Sequence, residues 1–451
     1  MDRESGPLTG EQDDCLVRSG DIAECLDHLG VFVARYQPFV TRSEQRTHVH
    51  VYLEGLLSGL ERKSIEPIAT AHGLYRRPLQ HFVGAGKWSD DDFRTELRSH
   101  VASEIGHKDA IFVIDGSGFE KSGPESVGAE RQWCGRLGKV ENCQVGVFVA
   151  YAAAGGHAAV HRRLYLPEDR AADRPHRAKT HVPDSTAFAE KWRIADDLLR
   201  EAAPGLPHAW VAGDDEFGRA AEFRALLRAR GERYVLDVPC NTLVRDLERR
   251  RPPRKKGGRG PKRKVPFVQA QAWAQALPAE RWTRMTVRAG EAGPIVVDAA
   301  AVRVSAKCEG RVGPEERLLV VRTVGAKPET GFHLSNAGPE VPLHELVRAR
   351  SERHRIEQTF EEAKGETGMA QYEVRSWTGW HHHVTLSLLA LWFLVLERRA
   401  MGEKKPGRDG PAGAAHPDRA AARAAADAPE DRRAGDRRPA ADRGSADLQV
   451  A

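Results

Sequence analysis

Cysteine, secretory signals and long apolar runs are scarce or missing in this sequence of 451 residues. Six cysteines are scattered along it without a Cys-x-x-Cys pair, and the polar start carries no signal peptide. We therefore expect reduced thiols in a cytoplasmic protein. The longest apolar stretch, Val384 to Leu396, is too short to span a bilayer and predicts a core helix. No membrane partner is expected.

Large apolar residues are almost absent from residues 401–451, which consist mainly of Ala, Arg, Asp, Gly and Pro. Such a segment cannot build a core, so a disordered tail is predicted there. The chain as a whole is 40% hydrophobic, which is ample for two or three domains with cores of their own.

Acidic residues are missing from one stretch, 249–264, which holds ten basic residues together with several Pro and Gly. The formal net charge of +5 is modest, so this uneven distribution indicates a nucleic-acid partner more strongly than the total does. The stretch predicts a mobile loop that follows a phosphate backbone, with a solvated linker as the alternative. The side chains expected to contact DNA there are Arg254, Lys255, Lys256, Lys262, Arg263 and Lys264.

Two short apolar runs each end in an aspartate. Residues 111–114 lead into Asp115 and residues 209–213 lead into Asp214, a pattern typical of buried strands that end at a carboxylate. The carboxyl ends of neighbouring strands meet in the crevice where α/β sheets bind ligands, and Glu357 would reach it from a later helix. Three carboxylates suit Mg²⁺ or Mn²⁺, so the pattern predicts metal-dependent phosphoryl transfer on DNA.

Each of these acids has an alternative interpretation. Asp115 precedes Gly-Ser-Gly, and an aspartate before glycine is common in simple turns. Neighbouring acids could replace the other two: Asp215 or Glu216 in place of Asp214, and Glu361 or Glu362 in place of Glu357.

The late helical segment resembles a known family. Its Arg353, Glu357 and Lys364 fit the Tyr-x2-Arg-x3-Glu-x6-Lys signature of a branch of the DDE-class insertion-sequence transposases, although Arg350 stands where that signature has tyrosine. The resemblance extends to Asp-x-x-Phe-Gly from Asp214, to DGSGFEKSG from Asp115, and to KVENCQVGVFVAY after it. It covers roughly residues 60–398, and its spacing selects Asp214 and Glu357 among the alternatives.

The resemblance implies a fold, a reaction and partners. The fold would be an α/β ribonuclease H-like catalytic core with a β-rich insertion and an all-α N-terminal DNA-binding domain. Two Mg²⁺ or Mn²⁺ ions about 4 Å apart, bridged by Asp115 and held also by Asp214 and Glu357, would support strand cleavage and transfer. The partners would be double-stranded DNA of the element's terminal repeats and of the target, bound by a homodimer on paired ends in the bacterial cytoplasm, with the nucleoid.

Basic residues near the acids complete this picture. Arg353 and Lys364 share a helix face with Glu357 and are expected to clamp phosphates, with a solvated salt-bridge ladder as the alternative. The resemblance further implies that a basic and aromatic stretch between the first two strands contacts DNA near the cleaved strand. Its residues are Arg131, Trp133, Arg136 and Lys139.

The apolar periodicity divides the chain into successive parts. Three strands, helix, strand, helix, strand is the order expected of the ribonuclease H-like core, in which the first and fourth strands are neighbours. The predicted parts are a flexible start 1–20, a helical DNA-binding domain 21–107, the first part of the core 108–240, a β-rich insertion with the basic loop 241–345, the final core helices 346–400, and the tail 401–451.

A helix-turn-helix candidate lies in the helical domain. A short helix at 65–72, a turn at Gly73 and a second segment carrying Arg76 and Arg77 favour a DNA reader. Pro78 is expected to break that second segment, and an ordinary helical hairpin is the alternative. Farther on, His381 to His383 predict a helix start or a DNA-facing role. Trp377 and Trp380 fit base stacking or core packing equally well.

Two other functions compete with transposition. One is a catalytically inactive or domesticated DNA-binding regulator derived from a transposase. The three acids argue against this function, whereas the unusual tail favours it. The other is a metal-dependent nuclease of the same fold class that acts on replication or recombination intermediates.

Overall fold

The computed structural model describes residues 19–250, 264–290, 293–308, 310–325 and 327–403. Most of the predicted flexible start, nearly all of the basic loop and most of the Ala- and Arg-rich tail lie outside these ranges. Of the six basic-loop residues expected to contact DNA, only Lys264 lies within the described ranges, where its side chain is exposed. The other five lie outside them: Arg254, Lys255, Lys256, Lys262 and Arg263.

The described N-terminal part is entirely helical. Its helices pack against the last helix of the chain and share one hydrophobic core with the sheet. The sequence favours these helices locally: Ser89, for example, accepts a hydrogen bond from the Asp92 amide and so caps a helix whose first turn holds three aspartates. The five helices are α1 Ser19–Ala34, α2 Ser43–Leu57, α3 Ile65–Ala71, α4 Arg76–Ala85 and α5 Asp90–Ile105.

The remaining helices flank the sheet. Among the described helices, α14 is the longest, yet neither it nor any other has the length and hydropathy that crossing a bilayer requires. Their bounds are α6 Glu168–Ala172, α7 Arg174–Lys179, α8 Lys191–Ala202, α9 Asp215–Gly218, α10 Ala221–Ala229, α11 Ala270–Gln275, α12 Leu343–Ser351, α13 His354–Gly365 and α14 Trp377–Glu403.

Twelve strands of the described chain form one mixed sheet. The first six are β1 Ile111–Glu120, β2 Glu130–Cys134, β3 Lys139–Ala153, β4 Gly156–Leu164, β5 Trp210–Gly213 and β6 Tyr234–Asp237. The last six are β7 Leu243–Asp246, β8 Val268–Gln269, β9 Thr283–Gly290, β10 Gly293–Cys308, β11 Arg311–Thr323 and β12 Thr330–Ser335.

The central strand order is consistent with a ribonuclease H-like core. β4 pairs with β3, and the sheet then runs β3, β1, β5, β6. β1 is antiparallel to β3 and parallel to β5, and β5 is parallel to β6. The predicted adjacency of the first and fourth core strands is therefore confirmed.

The inserted β-rich segment extends the same sheet. β12 pairs antiparallel with β6, and β11, β10, β7 and β8 follow outwards. A smaller hydrophobic cluster packs α11 against these strands. The strand at which the insertion returns to the core, β12, therefore lies beside β6, which is the neighbour of β5.

Several local expectations need correction. The helical pattern of residues 346–365, at the start of the predicted final core helices, indicates one continuous helix, but the structure has two, α12 and α13, separated at Glu352 and Arg353. Pro78 does not break the second helix of the helix-turn-helix candidate, because it lies in the first turn of α4, where a missing amide proton is tolerated.

The three consecutive histidines do not face DNA. His381, His382 and His383 are all buried where α14 meets the N-terminal helices. His382 stacks on Trp88 with 3.7 Å between ring centroids, and Nδ1 of His383 lies 2.8 Å from the Tyr52 hydroxyl. Trp380 is also fully buried, which favours core packing over base stacking.

Candidate active site

Three parallel strands place an aspartate at one level of the sheet. β5 and β6 end at this level, whereas β1 continues beyond Asp115 to Glu120, so the strand end predicted at Asp115 is wrong. Ile114 of β1 is paired with Gly213 of β5, and Gly213 is paired with Leu236 of β6. The next residues are Asp115, Asp214 and Asp237 respectively. Because residues in register on parallel strands project to the same face, this row gathers three carboxylates at the carboxyl edge.

Asp115 is largely buried and has little compensating charge. Its Oδ1 accepts a hydrogen bond of 2.7 Å from the Gly116 amide. Burial and then repulsion from Asp214 raise the pKa of Asp115 to about 7, although Arg353 opposes the shift. Arg353 therefore offsets the effects of burial and of Asp214 on Asp115 only in part.

Asp214 begins the short helix α9. Its Oδ1 accepts hydrogen bonds from the amides of Glu216 and Phe217, at 3.0 and 3.4 Å. Burial, followed by the charge of Glu216, raises the pKa of Asp214 to about 6. The glycine of the Asp-x-x-Phe-Gly segment also has a physical reason, since a Cβ at Gly218 would overlap the main-chain oxygen of Asp237.

One guanidinium connects the acids of the sheet to the late helix. Arg353 lies at the break between α12 and α13 and has a quarter of its side chain exposed. Its Nη1 lies 3.4 Å from Oδ2 of Asp115, and its Nε lies 3.3 Å from Oδ2 of Asp237. Its Nη2 lies 2.6 Å from Oε1 of Glu357.

Three of the four alternative acids, Asp215, Glu216 and Glu362, have other partners. Asp215 pairs with Arg219, and Oε1 of Glu216 lies 2.8 Å from Nζ of Lys191. Glu362 accepts a hydrogen bond of 2.9 Å from Arg398 on α14. Glu357 is 52% exposed and contacts Arg353. The contacts thus tie Glu357, rather than Glu362, to the row of aspartates.

Comparison with known proteins bears on this arrangement. Residues 35–294, more than half of the chain, match the model of the family described as DDE superfamily endonuclease. The chain belongs to the DDE superfamily endonucleases. The resemblance seen in the sequence is thereby confirmed. The matched region contains Asp115 and Asp214 and ends before Glu357.

A curated relative points in the same direction. The probable transposase for insertion sequence element IS701 of Microchaete diplosiphon is 26% identical over 215 residues, which is 47% of this chain. The match spans about half of that relative, 53% of its length. The chain is therefore a transposase-like member of the endonuclease family.

Lys364 lies at the opposite end of α13 from Arg353. Its Nζ donates a hydrogen bond of 3.2 Å to the main-chain oxygen of Gly118 and lies 5.3 Å from the ring centroid of Phe119. Gly118 and Phe119 belong to β1, three and four residues beyond Asp115. Helix α13 thus has a basic side chain at each end, Arg353 before its first turn and Lys364 in its last.

The other predicted DNA-contacting residues lie apart from the acids in sequence, and all those described are on the surface. Arg131 is exposed on β2, next to Trp133, which is also exposed. Lys139, exposed at the start of β3, lies 3.1 Å from Glu141, while the side chain of Arg136 falls outside the described part. On α4, Arg77 is exposed and Arg76 lies 3.2 Å from Glu66.

The acids partly fit a divalent metal. Members of this family generally use divalent metal ions, and an all-carboxylate set has the chemistry that Mg²⁺ or Mn²⁺ prefers. Burial and neighbouring acids raise the pKa values of Asp115 and Asp214, so a positive charge beside them would be stabilising. Within the described ranges, however, no three His, Cys, Asp or Glu side chains converge closely enough to hold one ion, and Glu357 is engaged by Arg353.

Sequence reasoning missed two residues of this endonuclease site, Asp237 and His333. Asp237 ends the apolar run Tyr-Val-Leu in the same way that Asp115 and Asp214 end theirs, so the same signal could have found it. His333 has no comparable signal, because its role depends on the pairing of β12 with β6.

Proposed function

We propose that this endonuclease is a DNA transposase that binds the ends of an insertion sequence and catalyses metal-dependent strand cleavage and strand transfer. The observation that carries the proposal is the row of Asp115 and Asp214 at one level of two parallel strands, with Glu357 tied to it through Arg353. The family match and the transposase relative support the same conclusion.

Asp115, Asp214 and Glu357 would hold two Mg²⁺ or Mn²⁺ ions. When bound, such ions supply Lewis-acid activation of a water or 3′-hydroxyl and stabilise the departing oxygen. The half-exposed side chain of Glu357 would exchange its contact with Arg353 for a contact with the ions. The raised pKa values of those aspartates favour the arrival of positive charge.

Arg353 and Lys364 would bind phosphates on either side of the scissile bond. Arg353 is anchored by carboxylates and presents a rigid fork of donors, which suits bidentate phosphate contact. Lys364 is a point charge held by the Gly118 oxygen and the face of Phe119. The two cations orient the strand, while the acids carry the chemistry.

DNA recognition is proposed to use surfaces away from the acids. The helices α3 and α4, joined through Gly73 at a positive φ of 64°, form the candidate reader with Arg76 and Arg77. The hairpin β2–β3 and the basic loop would follow the backbone of the element's terminal repeats or of target DNA. We propose a homodimer on paired ends, in the bacterial cytoplasm with the nucleoid.

A regulator without catalysis is not favoured, because both comparisons point to an endonuclease or transposase. The test is to incubate the purified chain with labelled duplex carrying its own element's end, with Mg²⁺ or Mn²⁺. Nicking at the element boundary that requires metal and disappears in Asp115→Ala is expected. Binding without cleavage in both proteins would overturn the proposal in favour of a regulator.

Cleavage at positions other than the element boundary would also overturn the proposal. An unrelated duplex of the same length serves as the control for this outcome. Equal nicking of both duplexes would indicate a general nuclease of the same fold rather than a transposase.

A further inference from the structure

Asp237 differs from the two aspartates beside it. Its Oδ1 lies 2.7 Å from Nδ1 of His333, and its Oδ2 lies 3.3 Å from Nε of Arg353. Burial alone would raise the pKa of Asp237, but His333 and Arg353 outweigh it and hold the pKa below its ordinary value. Both oxygens therefore contact side-chain nitrogens, whereas Asp115 has one such contact and its other oxygen accepts from a main-chain amide.

His333 is built into the sheet as a donor to Asp237. It is paired with Asp237 across the β12–β6 ladder and is fully buried. Burial and the nearby Arg350 and Arg353 lower its pKa despite Asp237, so the ring is neutral and its Nδ1–H donates to the carboxylate. Gly331 leaves room for the ring, since a Cβ there would lie 2.9 Å from Nε2 of His333.

Arg353 connects Asp237 and His333 to the helix that carries Glu357. Arg353 precedes α13 at the helix break, so its side chain sets how the start of that helix meets the sheet. Glu357 follows one helical turn later and contacts the same guanidinium. The other oxygen of Asp115 accepts from the Gly116 amide, but among the three acids on Arg353 only Asp237 has its other oxygen bonded to a fully buried side chain, that of His333.

We propose that Asp237 and His333 are positioning residues, which hold Arg353 in a position shared among three acids, so that it binds Asp115 and Glu357 less strongly than it would without Asp237. The inference rests on the proposed function. Without Asp237, the guanidinium would be drawn fully to the remaining two acids and would compete with a metal ion for them. Strand β12, where the insertion returns to the core, thereby supports α13, the helix that carries Glu357.

Mn²⁺ binding tests this without DNA or catalysis. Free Mn²⁺ is measured by electron paramagnetic resonance in titrations of the full chain, its Asp237→Asn variant and an Asp298→Asn control. Asp298 also pairs with two arginines, Arg284 and Arg322, but on β10. About tenfold weaker binding is expected in Asp237→Asn, and unchanged binding in the control.

Thermal unfolding without metal supplies a second readout. Asp237→Asn, Arg353→Gln and the double variant are compared in the presence of a chelator. If Asp237 acts by holding Arg353, the two losses in Tm do not add, and the double variant melts near the less stable single variant. His333→Phe, which keeps a ring but loses the donor, should weaken Mn²⁺ binding in the same direction if Asp237→Asn does not fold.

The outcomes separate this proposal from the broader one. Unaltered Mn²⁺ binding in Asp237→Asn, or additive losses in Tm, would overturn the positioning role even if the wild type cleaves DNA. A wild type that binds no Mn²⁺ would overturn the metal-dependent function instead. The unfolding comparison would then still decide whether Asp237 holds Arg353.

Discussion

Asp214 and Asp237 end adjacent parallel strands at the same level, yet their surroundings act on them in opposite directions. The pKa of Asp214 is raised to about 6 by burial and by acidic neighbours, whereas His333 and Arg353 keep the pKa of Asp237 below its ordinary value. One carboxylate of the pair is therefore left short of positive charge and the other is satisfied. This contrast divides the row into residues suited to bind a cation and a residue suited to hold the frame.

The uncompensated acids predict a pH-dependent stability. The folded-state pKa values of Asp115 and Asp214, about 7 and about 6, exceed the ordinary value of 3.8. Folding thus favours their protonated forms, so this contribution is present below about pH 4 and is lost as pH rises through 6 to 7. Asp115→Asn should stabilise the metal-free protein at pH 8 by at least about 1.4 kcal/mol, one pKa unit, more than it does at pH 5.

Urea unfolding in chelator at the two pH values measures this difference. A gain from Asp115→Asn that is the same at pH 5 and pH 8 would show that the carboxylate carries no raised pKa. Adding Mg²⁺ at pH 8 should stabilise the wild type but not the variant.

A buried ion pair joins the N-terminal helices to the core. Arg162 on β4 is fully buried, pairs with Asp90 of α5 and donates a hydrogen bond of 2.8 Å to the main-chain oxygen of His381. Asp90→Asn should leave the guanidinium charge uncompensated and lower the free energy of unfolding by about 3 kcal/mol. Asp91→Asn at the exposed neighbouring position should cost less than about 1 kcal/mol. Equal losses in chemical denaturation would contradict the assignment.

Lys364 should contribute one phosphate contact. Lys364→Gln is expected to reduce the slope of log affinity against log salt concentration by about 0.9, as measured by fluorescence anisotropy on end DNA. Lys179→Gln, an exposed lysine paired with Glu125, is the matched control and should leave the slope unchanged. A slope that is identical for wild type and Lys364→Gln would remove Lys364 from the phosphate-binding set.

Trp133 is the exposed aromatic of the β2–β3 hairpin, 58% exposed and paired across the strands with Val140. Trp133→Ala should weaken binding of end DNA about tenfold, the loss expected for one stacked base, without lowering Tm. Val312→Ala, at an exposed apolar residue of β11, should change neither quantity. A drop in Tm together with unaltered DNA affinity would make Trp133 a packing residue.

The sequence predicts the strands that carry Asp115 and Asp214 because an apolar run ending in an acid is a local pattern. Their adjacency followed from the strand order of the fold. The sequence does not predict that β12 pairs with β6, because the alternation of side chains indicates a strand but not the strand it pairs with. The contact of Arg353 with Asp237 depends on that arrangement and joins residues more than one hundred positions apart.

The His381 to His383 segment shows a second limit. Polar residue type suggested a surface, whereas tertiary packing buries all three rings and supplies acceptors such as the main-chain oxygen of Val83 for His382. The break between α12 and α13 is similar, because no glycine or proline marks it in the sequence. Both features are decided by contacts between distant segments.

The most direct test of the central claim is a parallel cleavage assay on end DNA with Mg²⁺. It compares wild type with Asp115→Asn, Asp214→Asn, Glu357→Gln and the neighbouring Glu361→Gln. The account predicts at least about a hundredfold loss of nicking in the first three variants. Each of these substitutions would weaken the binding of metal ions, which stabilise the transition state by several kcal/mol. Near-normal nicking is predicted for Glu361→Gln. Normal nicking by Glu357→Gln, or its loss in Glu361→Gln alone, would contradict the assignment of the third acid.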